Sequence, residues 1–77
     1  MVDEIEIDAR GYKCPVPSLK LRKAMEMHAD KRRFVLWATD PMARIDVPFL
    51  MQERGGRVIS IEDVDGALRL VVESRAI

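Results

Sequence analysis

The hydrophobic period of this chain changes at Gly11. Before it, "EIEIDA" alternates polar and apolar residues, which puts Ile5 and Ile7 on the inner face of a half-buried strand. From Pro15 onward, Leu21, Ala24, Met25 and His28 recur at i, i+3, i+4 and i+7, one face of a helix, with Arg22 and Glu26 opposite. The switch then repeats. "HADKRR" is a polar turn, and "RFVLWAT" is a second strand rich in β-formers.

"DPMARIDVPFLMQERGG" follows, with Asp40 as a cap, Pro41 at a first helical position and Gly55-Gly56 as a stop. Pro48 disfavours a helix interior, so the pattern predicts a turn over 41–45 and the helix proper from about Asp46 as a second cap. "RVISIED" and "ALRLVVES", joined by Val64-Asp65-Gly66, predict a hairpin. The order is βαβαββ, read as one α/β (α+β) domain over residues 1–77.

Both helices are expected on one face of the sheet. Phe34, Leu36 and Ala38 then point inward. Val35 and Trp37 point to the uncovered face with Glu4, Glu6 and Asp8, joined by Arg69, Val71 and Glu73. There Trp37 is either an exposed anchor or a ring half-covered by neighbouring strands.

Thirteen basic and thirteen acidic residues cancel, so no global field draws the chain to nucleic acid or anionic lipid. "KLRK" and "DKRR" read as solvated basic groups, and direct nucleic-acid binding ranks well below protein binding. No apolar run approaches the roughly 20 residues of a membrane span. With one cysteine and an acidic, alternating start, the expected location is the cytoplasm.

That cysteine, Cys14, lies in "GYKCPVPSL". A helix beginning at Pro15 makes it the N-cap, where unpaired N–H groups and the helix dipole favour a thiolate. Pro15 and Pro17 fix the backbone and delete two donors, leaving Val16 and Ser18 as the nearest amides, and Lys13 adds a positive charge. The expectation is a modestly lowered thiol pKa. A Cys–His pair is excluded within the helix, since His28 is 14 residues on, roughly 21 Å away. His28 reads instead as structural, on the core stripe. One Cys and one His leave no dithiol cycle and too few ligands for zinc, and no metal or cofactor is expected. What remains is a cysteine that carries something to a partner, and a persulfide suits a thiol with no second thiol to resolve it.

"DARGYKCPVPSLKLRKAM" resembles the D-x-x-G-x-x-C-P-x-P signature of the TusA/SirA-like sulfur-carrier family, and "ATDPMARIDVP" resembles its second motif. Asp8, Gly11, Cys14, Pro15 and Pro17 match the first, continued by Arg22-Lys23. Asp40-Pro41, Asp46 and Pro48 match the second. The resemblance runs from about Ile5 to Val72. Two positions depart from it: Met51 stands where some relatives carry another cysteine, and Ile45 stands where an Arg is common.

The resemblance implies a two-layer sandwich, a mixed four-stranded sheet with two helices on one face. It also implies that Cys14 accepts a sulfane sulfur from a donor such as a cysteine desulfurase. The sulfur would pass to an acceptor protein, toward tRNA thiolation, molybdenum-cofactor synthesis or sulfur oxidation. Such a chain is a relay more than a stand-alone enzyme. Asp8 and Gly11 would shape the loop, Pro15 and Pro17 the helix mouth, and Asp40 with Pro41 the second helix start. Val16, Leu19 and Met27, apolar and off the core stripe, suit docking. The competing reading is a regulatory or interaction module in which Cys14 is incidental; an RNA-binding module ranks third.

Overall fold

The computed structural model of the protein describes residues 4–74. Strand β1 (Glu4–Ala9) leads into helix α1 (Val16–Met27), then strand β2 (Arg33–Ala38) and helix α2 (Ala43–Glu53). Strands β3 (Arg57–Val64) and β4 (Ala67–Glu73) close the chain. The sheet order is β1-β2-β4-β3. β1 runs parallel to β2, and β4 is antiparallel to both of its neighbours, so the sheet is mixed as expected. The hairpin also falls where the sequence put it: Asp65 and Gly66 have φ of 52° and 83°, the mirror-image turn that matches strand twist.

β2 is central, and its alternation decides the core. Phe34, Leu36 and Ala38 pack with Leu68, Leu70 and Val72 of β4. Leu21 and Met25 of α1 and Ala43, Val47 and Met51 of α2 join the same cluster, so both helices cover one face. Each fully buried Leu or Phe contributes about 1.5–3 kcal/mol. The other face is drier than its charges suggest. Val35 lies outside that cluster yet is fully buried, where the sequence suggested an uncovered position. Its register partners are Glu6 and Val71. Trp37 is half-buried, between Asp8 and Arg69, with the Arg10 guanidinium 5.7 Å from its ring.

α2 begins at Ala43, three residues before the expected helix proper at Asp46. Of the segment read as a turn, 41–42 is a turn and 43–45 is the tightened start of the helix. Ala43, Arg44 and Ile45 N–H groups donate to the carbonyls of Asp40, Pro41 and Met42 at 3.0, 3.1 and 2.9 Å. Pro48 is therefore inside the helix. The carbonyl it leaves without an i+4 donor belongs to Arg44, an exposed residue that water can reach. At the far end, Gly56 N–H donates to Met51 carbonyl and Gly55 N–H to Gln52 carbonyl, the paired bonds of a glycine stop. Among the described residues, no helix is long and apolar enough to cross a membrane.

Candidate functional site

β1 and β2 are parallel neighbours, so the loops leaving their carboxyl ends lie side by side, where open α/β sheets place their sites. The first loop carries Gly11 to Cys14, the second Thr39 to Met42. Two bonds join them. Gly11 N–H donates to Thr39 Oγ1 at 2.9 Å, and Cys14 N–H donates to Asp40 Oδ2 at 2.9 Å. Gly11 has φ of 87°, a conformation an L side chain resists, so glycine lets the loop turn back toward Thr39.

Asp40 serves both loops. Its Oδ1 accepts the N–H of Met42 at 2.9 Å in the turn before α2, while Oδ2 holds Cys14. The cap position of α2 falls on Met42, which makes no side-chain cap bond, so Asp40 braces the turn and not the helix end expected from sequence. Those two N–H bonds, with a smaller contribution from Lys13, keep its carboxyl below the ordinary range despite partial burial. Gly11, Lys13, Asp40 and Pro41, all named from sequence, line one open depression with Tyr12 and Thr39.

Cys14 departs from expectation in three ways. α1 begins at Val16 and its N-cap is Pro15, so Cys14 lies one residue outside the helix mouth. Val16 N–H donates to the Lys13 carbonyl at 3.0 Å, which removes it as a donor toward sulfur. The thiol pKa is not lowered but pushed up from its ordinary 9.0 to about 11. Burial is the main cause: the side chain is half-buried against the core. Next comes the Asp46 carboxylate, which favours the protonated thiol, and then the negative charges of Asp40 and Asp46. Lys13 acts on Asp40 rather than on the sulfur.

The other expected positions divide. Pro17 is buried in the first turn of α1, whereas Pro15 is exposed. Asp8 shapes its own turn: its carboxylate binds the Arg10 side chain at 2.9 and 3.1 Å and accepts the Arg10 N–H at 3.1 Å. These bonds bring its pKa down to about 2. Asp8 has no bond to Cys14 among those described. His28 is half-buried at the end of α1, its N–H donated to the Ala24 carbonyl at 2.9 Å.

Two features were not read from sequence. Asp46 was expected to cap a helix, yet its carboxylate acts on the thiol, raising its pKa. The outer side of α2 carries Met42, Ile45 and Phe49, respectively 48%, 63% and 62% exposed. At i, i+3 and i+7 they share a helix face, and Asp46 lies beside them, four residues after Met42 and three before Phe49. Their spacing was legible; reading 41–45 as a turn hid it. Leu19 and Met27 are exposed as expected, and Val16 is half-buried. Among the described residues, no cluster of three or more His, Cys, Asp or Glu could hold a metal ion.

Comparison with known proteins agrees with this geometry. The family model described as "Sulfurtransferase TusA" matches residues 5–74. A candidate sulfur carrier protein of Archaeoglobus fulgidus is 36% identical over 69 residues, spanning 88% of this chain and 90% of its own. One from Thermotoga maritima is 29% identical over 58 residues, spanning 75% and 73%. The crystal structure of a SirA-like protein from Desulfitobacterium hafniense shares the fold, with a TM-score of 0.79 at 20% identity over 90% of this chain and 95% of that one. The chain belongs to the TusA family of sulfurtransferases.

Proposed function

We propose that this protein is a cytoplasmic sulfur carrier that holds a persulfide on Cys14 and relays its outer sulfur between partner proteins. A sulfur-carrier role follows from membership of the TusA family. The observation that carries the finer reading is the placement of the chain's one thiol: Asp40 fixes its backbone, and the Asp46 carboxylate favours its protonated form. In loading, Cys14 Sγ bonds to the terminal sulfur of a donor's persulfide and the donor's own S–S bond breaks. The electron pair leaves on the donor's thiolate, and the Cys14 proton passes to it by way of Asp46. No oxidant is needed, and unloading is the same exchange with an acceptor as the attacking thiol.

A thiol titrating near 11 is a thiolate in about one molecule in ten thousand at pH 7. The isolated carrier is therefore quiet. A donor that brings a cation against Asp46 would lower that pKa as it docks, so that the thiol becomes reactive only in the complex. Met42, Ile45 and Phe49 around Asp46 offer the apolar surface for such docking. Cysteine desulfurases are the donor class to test first. Incubation with a desulfurase and radiolabelled cysteine should label the protein in a reductant-labile form, and Cys14→Ser should stay unlabelled. Equal labelling of that variant would refute Cys14 as the carrier.

A further inference from the structure

We propose that the free edge of β1 and the groove beside it form a second docking site, for an extended segment of a partner protein that adds to the sheet as a fifth strand. Among the described residues, β1 is an outer strand, paired on one side only. Exposed edges are normally blunted by bulges, prolines or inward charges. The opposite edge, β3, carries such an irregularity between Val58 and Ser60. β1 carries none: its register with β2 is unbroken from Glu4 opposite Arg33 to Ala9 opposite Ala38.

A groove runs between this edge and α1. Ile5, Ile7 and Met27 contribute apolar surface, Glu6 and Asp8 line it from the strand, and Lys20, Lys23 and His28 stand on the helix side, Lys20 with its ammonium 4.8 Å from the Tyr12 ring. The apolar side chains are incompletely covered, Met27 being 68% exposed. Lys23 and His28 meet no carboxylate among the described residues. Strand alternation turns Glu4, Glu6 and Asp8 to the opposite face of the sheet.

These charges specify the occupant. A strand laid on β1 sends alternate side chains to the two faces. Toward α1 they should be apolar and acidic, to meet the isoleucines and Lys23. Toward the open face they should be basic, to meet Glu4, Glu6 and Asp8. A second copy of β1 fails this requirement. Keeping its isoleucines toward α1 would set its own acids against those of the first copy, a repulsive cross-strand arrangement. The segment therefore comes from another protein. The site does not involve Cys14.

The test uses the full chain, isotope-labelled for amide hydrogen exchange. The probe is a blocked nine-residue peptide with lysine at every odd position and Val, Glu, Ile, Glu at the even ones. The control exchanges every Glu and Lys. The first peptide should slow exchange of β1 amides about tenfold or more at saturation, and the control should bind at least about tenfold more weakly. Lys23→Glu, an exposed change, should weaken the first peptide about threefold or more. Cys14→Ser should bind it unchanged, which separates this site from the carrier reading. The proposal is overturned if both peptides bind alike, if Lys23→Glu has no effect or if β1 amides stay unprotected. It is overturned equally if β1 is already protected in a concentration-dependent dimer.

Discussion

The Asp40 carboxylate accepts the backbone N–H of Cys14 at 2.9 Å across 26 residues of sequence, while its other oxygen holds the turn before α2. One side chain thus sets the cysteine loop against the helix that brings Asp46 to the sulfur. Asp40→Ala leaves two N–H groups without their acceptor and should lower stability by about 1–2 kcal/mol in urea denaturation. An unchanged midpoint would place Asp40 on a partner surface rather than in the framework.

The pH limits of stability follow from the same groups. Asp40 titrates lower folded than unfolded, so its contribution is present above about 3.8 and is lost as pH falls below that value. Cys14 titrates higher folded than unfolded, so its contribution is present below about 9 and is lost as pH rises toward about 11. Denaturation across pH 8–11 should show an alkaline loss that Cys14→Ser lacks. Identical alkaline limbs would contradict the raised thiol pKa.

Asp46 should govern the reactivity of the free protein. Asp46→Asn removes the negative charge that favours the protonated thiol, so the pKa should fall below about 11, while burial, the larger cause, still holds it above the ordinary 9.0. Alkylation at pH 8 should then speed up with the thiolate fraction, by about threefold or more. The same variant should load less selectively, since its thiol no longer waits for a donor. A slower alkylation would overturn the assigned role.

What the sequence made legible was local. Period changes, the Asp65-Gly66 turn and the Gly55-Gly56 stop act within a few residues, and each element they predict is present. The helix starts were shifted because tight bonding after the 41–42 turn draws residues 43–45 into α2 and because α1 begins after Pro15. The thiol environment was misread for a different reason. A proline-flanked cysteine beside Lys13 suggests an activating helix end, yet its titration is decided first by burial against the core and then by Asp46 and Asp40, which arrive from another part of the chain. Only the folded loops bring them to the sulfur.

Tight packing where α2 turns into β3 gives a further check on the fold. A Cβ at Gly56 would lie 2.5 Å from the Glu73 carbonyl oxygen and 2.5 Å from Met51 Cε. Gly56→Ala should therefore destabilise by about 1–3 kcal/mol, measured by thermal or urea unfolding. Full stability would mean that the two backbones approach less closely in solution.

Docking separates from chemistry at Ile45 and Phe49. Replacing both with Lys removes exposed apolar surface and should leave stability within about 0.5 kcal/mol. Alkylation by a small reagent should be little changed, whereas sulfur uptake from a desulfurase should fall by about tenfold or more. Undiminished uptake would move the docking surface elsewhere.

Sulfur loading itself is read from the intact mass of the protein after incubation with a cysteine desulfurase and cysteine. A carrier thiol at Cys14 requires a gain of one sulfur atom, reversed by a thiol reductant and absent in Cys14→Ser. No gain with several competent desulfurases and thiosulfate sulfurtransferases, or a gain that survives in Cys14→Ser, would contradict it.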